Sequence, residues 1–176
     1  MSGGIGMAQA AADHRAAIED VARVVEGQDP ARWTQAPQPG KWSPSEIAQH
    51  LILSYGPPLA ELDGGSGFVV RVGWWKRVAL RWRFLPQILG GKFPQGAPAP
   101  REIRPKTGAA DPVQAARDLR ESAVLFADRL AEAERARRVR LTHPYFGKLT
   151  APQILKLMAV HAGHHRAQFP PARPGS

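Results

Sequence analysis

The sequence contains no cysteine. That excludes disulfide frameworks, thiolate zinc sites, iron–sulfur clusters and a cysteine nucleophile. Any metal must therefore be held by nitrogen and oxygen ligands. Long apolar runs are also missing, and none approaches the ~20 residues that span a bilayer. The opening MSGGIGMAQAAADHR has neither a basic n-region nor an apolar h-region, so no signal peptide is expected and the cytoplasm is the expected location. Acidic residues are scarce, 15 against 24 Lys plus Arg, for a formal charge of +9. Such a charge favours anionic partners without dictating a fold. Nucleic acid is not the expected partner, because no RNP, finger or recognition-helix pattern accompanies the charge. No G-x-S-x-G, P-loop or G-x-G-x-x-G pattern occurs, so nucleophile-elbow hydrolysis and nucleotide binding have no support.

What is present is helical periodicity. The 176 residues predict one domain over 7–169, with flexible tails at 1–6 and 170–176. Four long helices stand out and nothing reads as a strand. The first runs from about Ala8 to Glu26, with Ala11, Ile18, Val21, Ala22 and Val25 at helical spacing. The second opens at Ser43-Pro44-Ser45-Glu46, a capping box with proline at the first helical position. It carries Ile47, His50, Leu51 and Ser54 on one face until Pro57 and Pro58 kink or end it. The third opens at Asp111-Pro112 and runs through Leu119, Phe126 and Leu130 to about Arg138. The fourth opens at Thr150-Ala151-Pro152-Gln153 and carries Ile154, Met158, His161, His165 and Phe169 in one stripe before Pro170.

A long, partly helical connection links the second helix to the third. Trp75, Val78, Trp82 and Leu85 share one helical face there, with Lys76, Arg77 and Arg81 elsewhere. A basic helix bearing tryptophans can lie on a membrane surface, but packing of this stripe on the domain is the expectation. Residues 86–105 are expected to form a loop across the bundle end, bordering a binding site.

His161 and His165 are four residues apart and project from one face, a turn apart. Two imidazoles at that spacing can hold one ion. Two core or rim histidines bonded to carbonyls and water would look the same. His50, on the apolar face of another helix, tips the balance, since inward side chains of different helices converge in a bundle. Three neutral imidazoles leave a divalent ion an open position, as catalytic sites do. A peptidase of the zincin type is excluded, because Ala162 stands where its glutamate general base must be. No carboxylate near the pair supports a facial triad, and no Glu-x-x-His supports a di-iron site. His164 is expected at the surface or behind the ligands, and Gln168 is placed to orient a ligand or to stay at the helix surface. His143, in HPYFGKL, is expected to be a turn residue, with an acid–base role over the cavity as the sharper alternative.

Two segments resemble the DinB-like superfamily, the DinB/YfiT-type metalloenzymes. In GKWSPSEIAQHL, Trp42, Ser43, Glu46, His50 and Leu51 match its W-S-x-x-E-x-x-x-H-L pattern. In FGKLTAPQILKLMAVHAGHHRAQF, Gly147, Thr150, His161, His165 and Gln168 match its glycine, helix cap and H-x-x-x-H-x-x-Q. The resemblance implies an all-α four-helix bundle, often dimeric, whose three histidines bind zinc, nickel or iron; they map onto His50, His161 and His165. It also implies a low-molecular-weight thiol as cosubstrate, since characterised relatives include S-transferases and isomerases using bacillithiol or mycothiol. A metal-dependent thiol transferase or hydrolase acting on a small electrophile, with a small and anionic occupant, is therefore expected. The alternative is a non-catalytic metal- or ligand-binding bundle in stress response.

Overall fold

The computed structural model describes residues 6–94, 96 and 98–171. The expected tails therefore fall almost wholly outside the described residues. The chain is mostly helical: α1 (Met7–Glu26), α2 (Pro44–Leu53), α3 (Gly56–Leu62), α4 (Trp74–Leu89), α5 (Pro112–Ala136) and α6 (Ala151–Arg166). Between α5 and α6 lie two short strands, β1 (Arg140–His143) and β2 (Gly147–Thr150), and a 3-10 turn covers Arg101–Ile103.

Helix α1 packs on α5 and α6, and α2 packs on α5. The face of α1 that turns inward carries Ile18, Val21, Ala22 and Val25, as its periodicity requires. The matching stripe of α5 is Leu119, Ala123, Phe126 and Leu130. These side chains share one core with Leu51, Leu149, Ile154 and Leu155.

The start of α2 is fixed from several directions. Glu46 N donates to Ser43 Oγ, and Glu46 Oε2 accepts from Ser43 N at 2.8 Å, the reciprocal capping box. Ser45 N donates to the Trp33 carbonyl, and Ala109 N donates to the Ser45 carbonyl. Trp33 Nε1 in turn donates to the Ala109 carbonyl at 2.9 Å. Gly108 lies so close to this stitch that a Cβ there would stand 2.1 Å from Ser45 Oγ. The helix bearing His50 is thus held by the segment before it and by the one that leads into α5.

Two expectations are corrected. The chain is not purely α-helical: β1 and β2 pair antiparallel, with His143 opposite Gly147. Pro144–Phe146 form the three-residue turn, and Gly147 closes it at φ 70°, which a β-carbon would disfavour. Four-residue strands carry too little alternation to declare themselves in sequence. The interruption expected at Pro57 and Pro58 is present: α2 stops at Leu53, and α3 opens after a break at Ser54–Tyr55 with the prolines in its first turn.

The second correction concerns α4. It continues past Pro86 to Leu89, and its Trp75–Trp82 stripe does not pack on the domain. Leu85 and Ile88 are buried and Leu80, Phe84 and Leu89 rest against the core, so the packing face is rotated away from the tryptophans. Arg81 lies on that inner side, where Nη1 donates to the carbonyls of Phe146 and Lys148. Arginine stems reach over apolar surface to satisfy hairpin carbonyls, leaving the tryptophans outside. Among the described residues no helix is long and apolar enough to cross a membrane.

Candidate metal centre

His50 projects from the last turn of α2, and His161 and His165 project from the last two turns of α6. The structure brings the three together: one ligand nitrogen from each lies within 4.8 Å of the others. His161 Nε2 is 3.0 Å from His50 Nε2 and 3.0 Å from His165 Nε2.

The outer nitrogens decide what the inner ones can do. His50 Nδ1 is 2.8 Å from the Ile103 carbonyl, which only accepts, so Nδ1–H donates. His165 Nδ1 donates to Gln168 Oε1 at 3.0 Å, and Gln168 Nε2 donates to His164 Nε2 at 3.0 Å. In a neutral imidazole the other nitrogen then carries a lone pair. His50 and His165 therefore both aim lone pairs at His161 Nε2. A proton on that atom can serve one of them fully and not both. Three convergent nitrogens with at most one proton among them fit a cation, at separations an ion bonded at about 2.0–2.1 Å can bridge.

Electrostatics keep the cluster neutral. Burial depresses His50, opposed by its bond to Ile103. Burial, and then the neighbouring His50, takes His165 down to about 3. His161 lies well below its ordinary value through burial, reinforced by His165 and His50. The protonated forms that would repel a metal are thus disfavoured across the neutral range.

Around the cluster lies a cavity of about 490 Å³, the size of a small-molecule site. Apolar side chains dominate its wall, among them Phe68, Ile88, Phe93, Ile103 and Met158. Trp42 stacks beside the ligands, its ring 4.9 Å from His50 and 6.4 Å from His165. The stretch between α4 and the 3-10 turn supplies Phe93, Pro98 and Pro100, so the connecting loop borders the cavity as its position predicts. The arginine in the described wall is Arg104, whose exposed side chain also donates to the Ala99 carbonyl.

His143 is corrected from a turn residue to the last residue of β1, lining this cavity. Its ring stacks on Phe146 at 4.5 Å, and burial lowers it to about 3. Tyr145 N donates to His143 Nδ1 at 3.2 Å, so the proton of the neutral ring sits on Nε2. Hairpin register carries it there, with Glu61 of α3 anchoring the strand by accepting from Thr142 N and Thr142 Oγ1. His164 is half-buried rather than exposed, with its ring 4.9 Å from that of Phe93. It stands behind His165, linked to it through Gln168. Sequence alone gave no role to Trp42 or to the Ile103 carbonyl. The first was visible only as a motif residue, and the second is a backbone atom that no side-chain pattern signals.

A mostly helical domain presenting three neutral imidazoles from two helices, with a small-molecule cavity beside them, is of the class that can hold a divalent ion through nitrogen alone. A family model described as the DinB superfamily matches residues 13–169, and the chain belongs to that superfamily. No curated protein and no solved structure matches the chain.

Proposed function

We propose that this protein is a metal-dependent enzyme in which His50, His161 and His165 hold a divalent transition ion (zinc, nickel or iron) that serves transfer of a thiol, or of water, to a small electrophile. The observation that carries the proposal is the proton deficit of the cluster, two fixed lone pairs converging on a third nitrogen. An ion there would act as a Lewis acid and lower the pKa of a thiol or water in its open position, for zinc-held water to about 7. The chain's own residues supply the rest. The Ile103 carbonyl and Gln168 orient the ligand rings. Trp42 and the apolar wall keep bulk water from the nitrogens. His143 Nε2–H is the donor placed in the cavity to hydrogen-bond an anionic group of the bound molecule. Arg104 offers a charge for the same kind of occupant. The four-helix bundle and homodimer implied by the family likeness belong to the same proposal, as does the cytoplasmic location expected from the sequence.

Metal analysis of protein purified without added metal or a polyhistidine tag tests it, followed by turnover of a generic electrophile with low-molecular-weight thiols. A near-stoichiometric transition metal, lost in His161→Ala together with turnover, is the expected outcome. His143→Ala should retain the metal and lose about 10²-fold in turnover, the scale of a lost preorganised hydrogen-bond donor. A folded, metal-free wild type sinks the metal reading. A metal-loaded protein without turnover favours the non-catalytic binding bundle instead.

A further inference from the structure

Helix α4 presents a tryptophan-rich apolar face to solvent. Trp75 is 72% exposed, Trp82 79%, Trp74 55% and Val78 41%. At 100° per residue, Trp75, Val78, Ala79, Trp82 and Pro86 fall on one face, with Lys76 and Arg83 along one edge. The opposite face holds Leu80, Phe84, Leu85 and Ile88 against the domain. Trp74 and Trp75 stack at 3.6 Å, which widens the outer patch.

The charge around this face has one sign. Residues 64–101 contain seven Lys or Arg and no Asp or Glu. Arg71 pairs with Glu102 from beyond that stretch. Among the described residues Lys76, Arg83, Lys92 and Arg101 form no ion pair. A second copy docked through the same face across a two-fold axis would bring these cations together uncompensated. A surface carrying fixed negative charge meets both features at once. Indole rings prefer the boundary between hydrocarbon and water, where the ring is covered and the N–H stays wet. Lysine and arginine beside them reach headgroup phosphates. At sixteen residues, α4 is about 24 Å long, enough to lie along a bilayer surface and too short to cross it.

We propose that α4 seats this protein on anionic lipid bilayers, with Trp75, Val78 and Trp82 in the interface and Lys76 and Arg83 at the phosphates. The inner end of the same helix lines the cavity through Ile88, with Phe93 just beyond, so the seated protein holds its cavity beside the membrane. The inference does not depend on the identity of any metal.

Sedimentation with sucrose-loaded vesicles tests it, using phosphatidylcholine alone and phosphatidylcholine mixed with phosphatidylglycerol. The full chain should partition onto the anionic vesicles at low salt with a blue shift in tryptophan emission, and much less onto the neutral ones. Binding should fall as salt rises through the range where the Debye length drops below about 10 Å. Trp75→Ala with Trp82→Ala should cut partitioning roughly tenfold or more, and Lys76→Gln with Arg83→Gln should remove the preference for phosphatidylglycerol. Both variants alter exposed side chains, so unchanged far-UV circular dichroism and metal content verify the fold. Equal partitioning of wild type and the tryptophan variant overturns the proposal. So does an absence of vesicle binding, whether the wild type is inert, binds single-stranded oligonucleotide instead, or forms a dimer in sedimentation velocity that the tryptophan variant dissociates.

Discussion

At the residue scale, two imidazoles of the cluster, His50 and His165, have their tautomer set by a group behind them. Gln168 is the case where a side chain performs that task, bonded to His165 Nδ1 and His164 Nε2 at once. Gln168→Leu should leave the fold intact and weaken metal binding about 10–100-fold, the usual cost of losing such a partner. Competition with a chromophoric chelator measures it, and an unchanged affinity would show that Gln168 does not orient the ligand. The three histidines were legible in sequence because spacing and helix phase act locally: once Thr150 and Ser43 set the helix starts, the inward face follows. His143 was legible only as an alternative to a turn residue. Its place in the cavity depends on pairing with Gly147 across a hairpin that the sequence did not announce, and on Glu61 of α3, 81 residues from Thr142, holding that strand.

At the scale of elements, the helices divide into those that announce themselves and those that answer to neighbours. α2 and α5 have side-chain caps, α6 opens with Gln153 accepting from Thr150 N, α1 starts without a side-chain cap, and each carries an apolar stripe that the chain folds where the pattern says. For α2 the cap is also functional, since it fixes the helix that carries His50. Ser43→Ala removes the acceptor for Glu46 N and the contact with Ser45 Oγ. It should cost about 1–2 kcal/mol, read as a lower urea midpoint with the slope unchanged. A neutral effect would mean that the stitch through Trp33 and Ala109 alone secures the helix. α4 is the other kind. Two apolar faces compete on one helix, Trp75–Trp82 and Leu80–Ile88, and periodicity cannot rank them. The structure ranks them through the arginines: Arg81 finds hairpin carbonyls on the inner side, which turns the tryptophans outward.

At the scale of the whole molecule, the core contains an unusual polar pair. His14 of α1 is 2.8 Å from the Tyr55 hydroxyl, both buried between helices. Burial holds His14 at about 4 against an ordinary 6.5. The unfolded chain therefore takes up the proton that the folded chain refuses, between those two values. Stability is full above about pH 6.5 and declines as pH falls toward 4, by about 3 kcal/mol at the limit for this one group. Denaturation midpoints across that window check it, and His14→Gln should flatten the slope. A slope unchanged by the substitution would place the acid sensitivity elsewhere.

The sequence by itself determined that the chain is largely helical, where its four long helices start, and that three histidines lie on inward faces. It also excluded thiolate and carboxylate ligands near the pair, because composition and helical phase are properties of short stretches. Only the tertiary structure decided that the three nitrogens meet with a shortage of protons, that a hairpin brings His143 to the cavity, and which face of α4 meets solvent. Those outcomes rest on hydrogen bonds to Ile103, Gln168, Glu61 and the hairpin carbonyls. Apart from Gln168, three residues from His165, their donors and acceptors are distant in sequence or part of the backbone, so no local pattern encodes them.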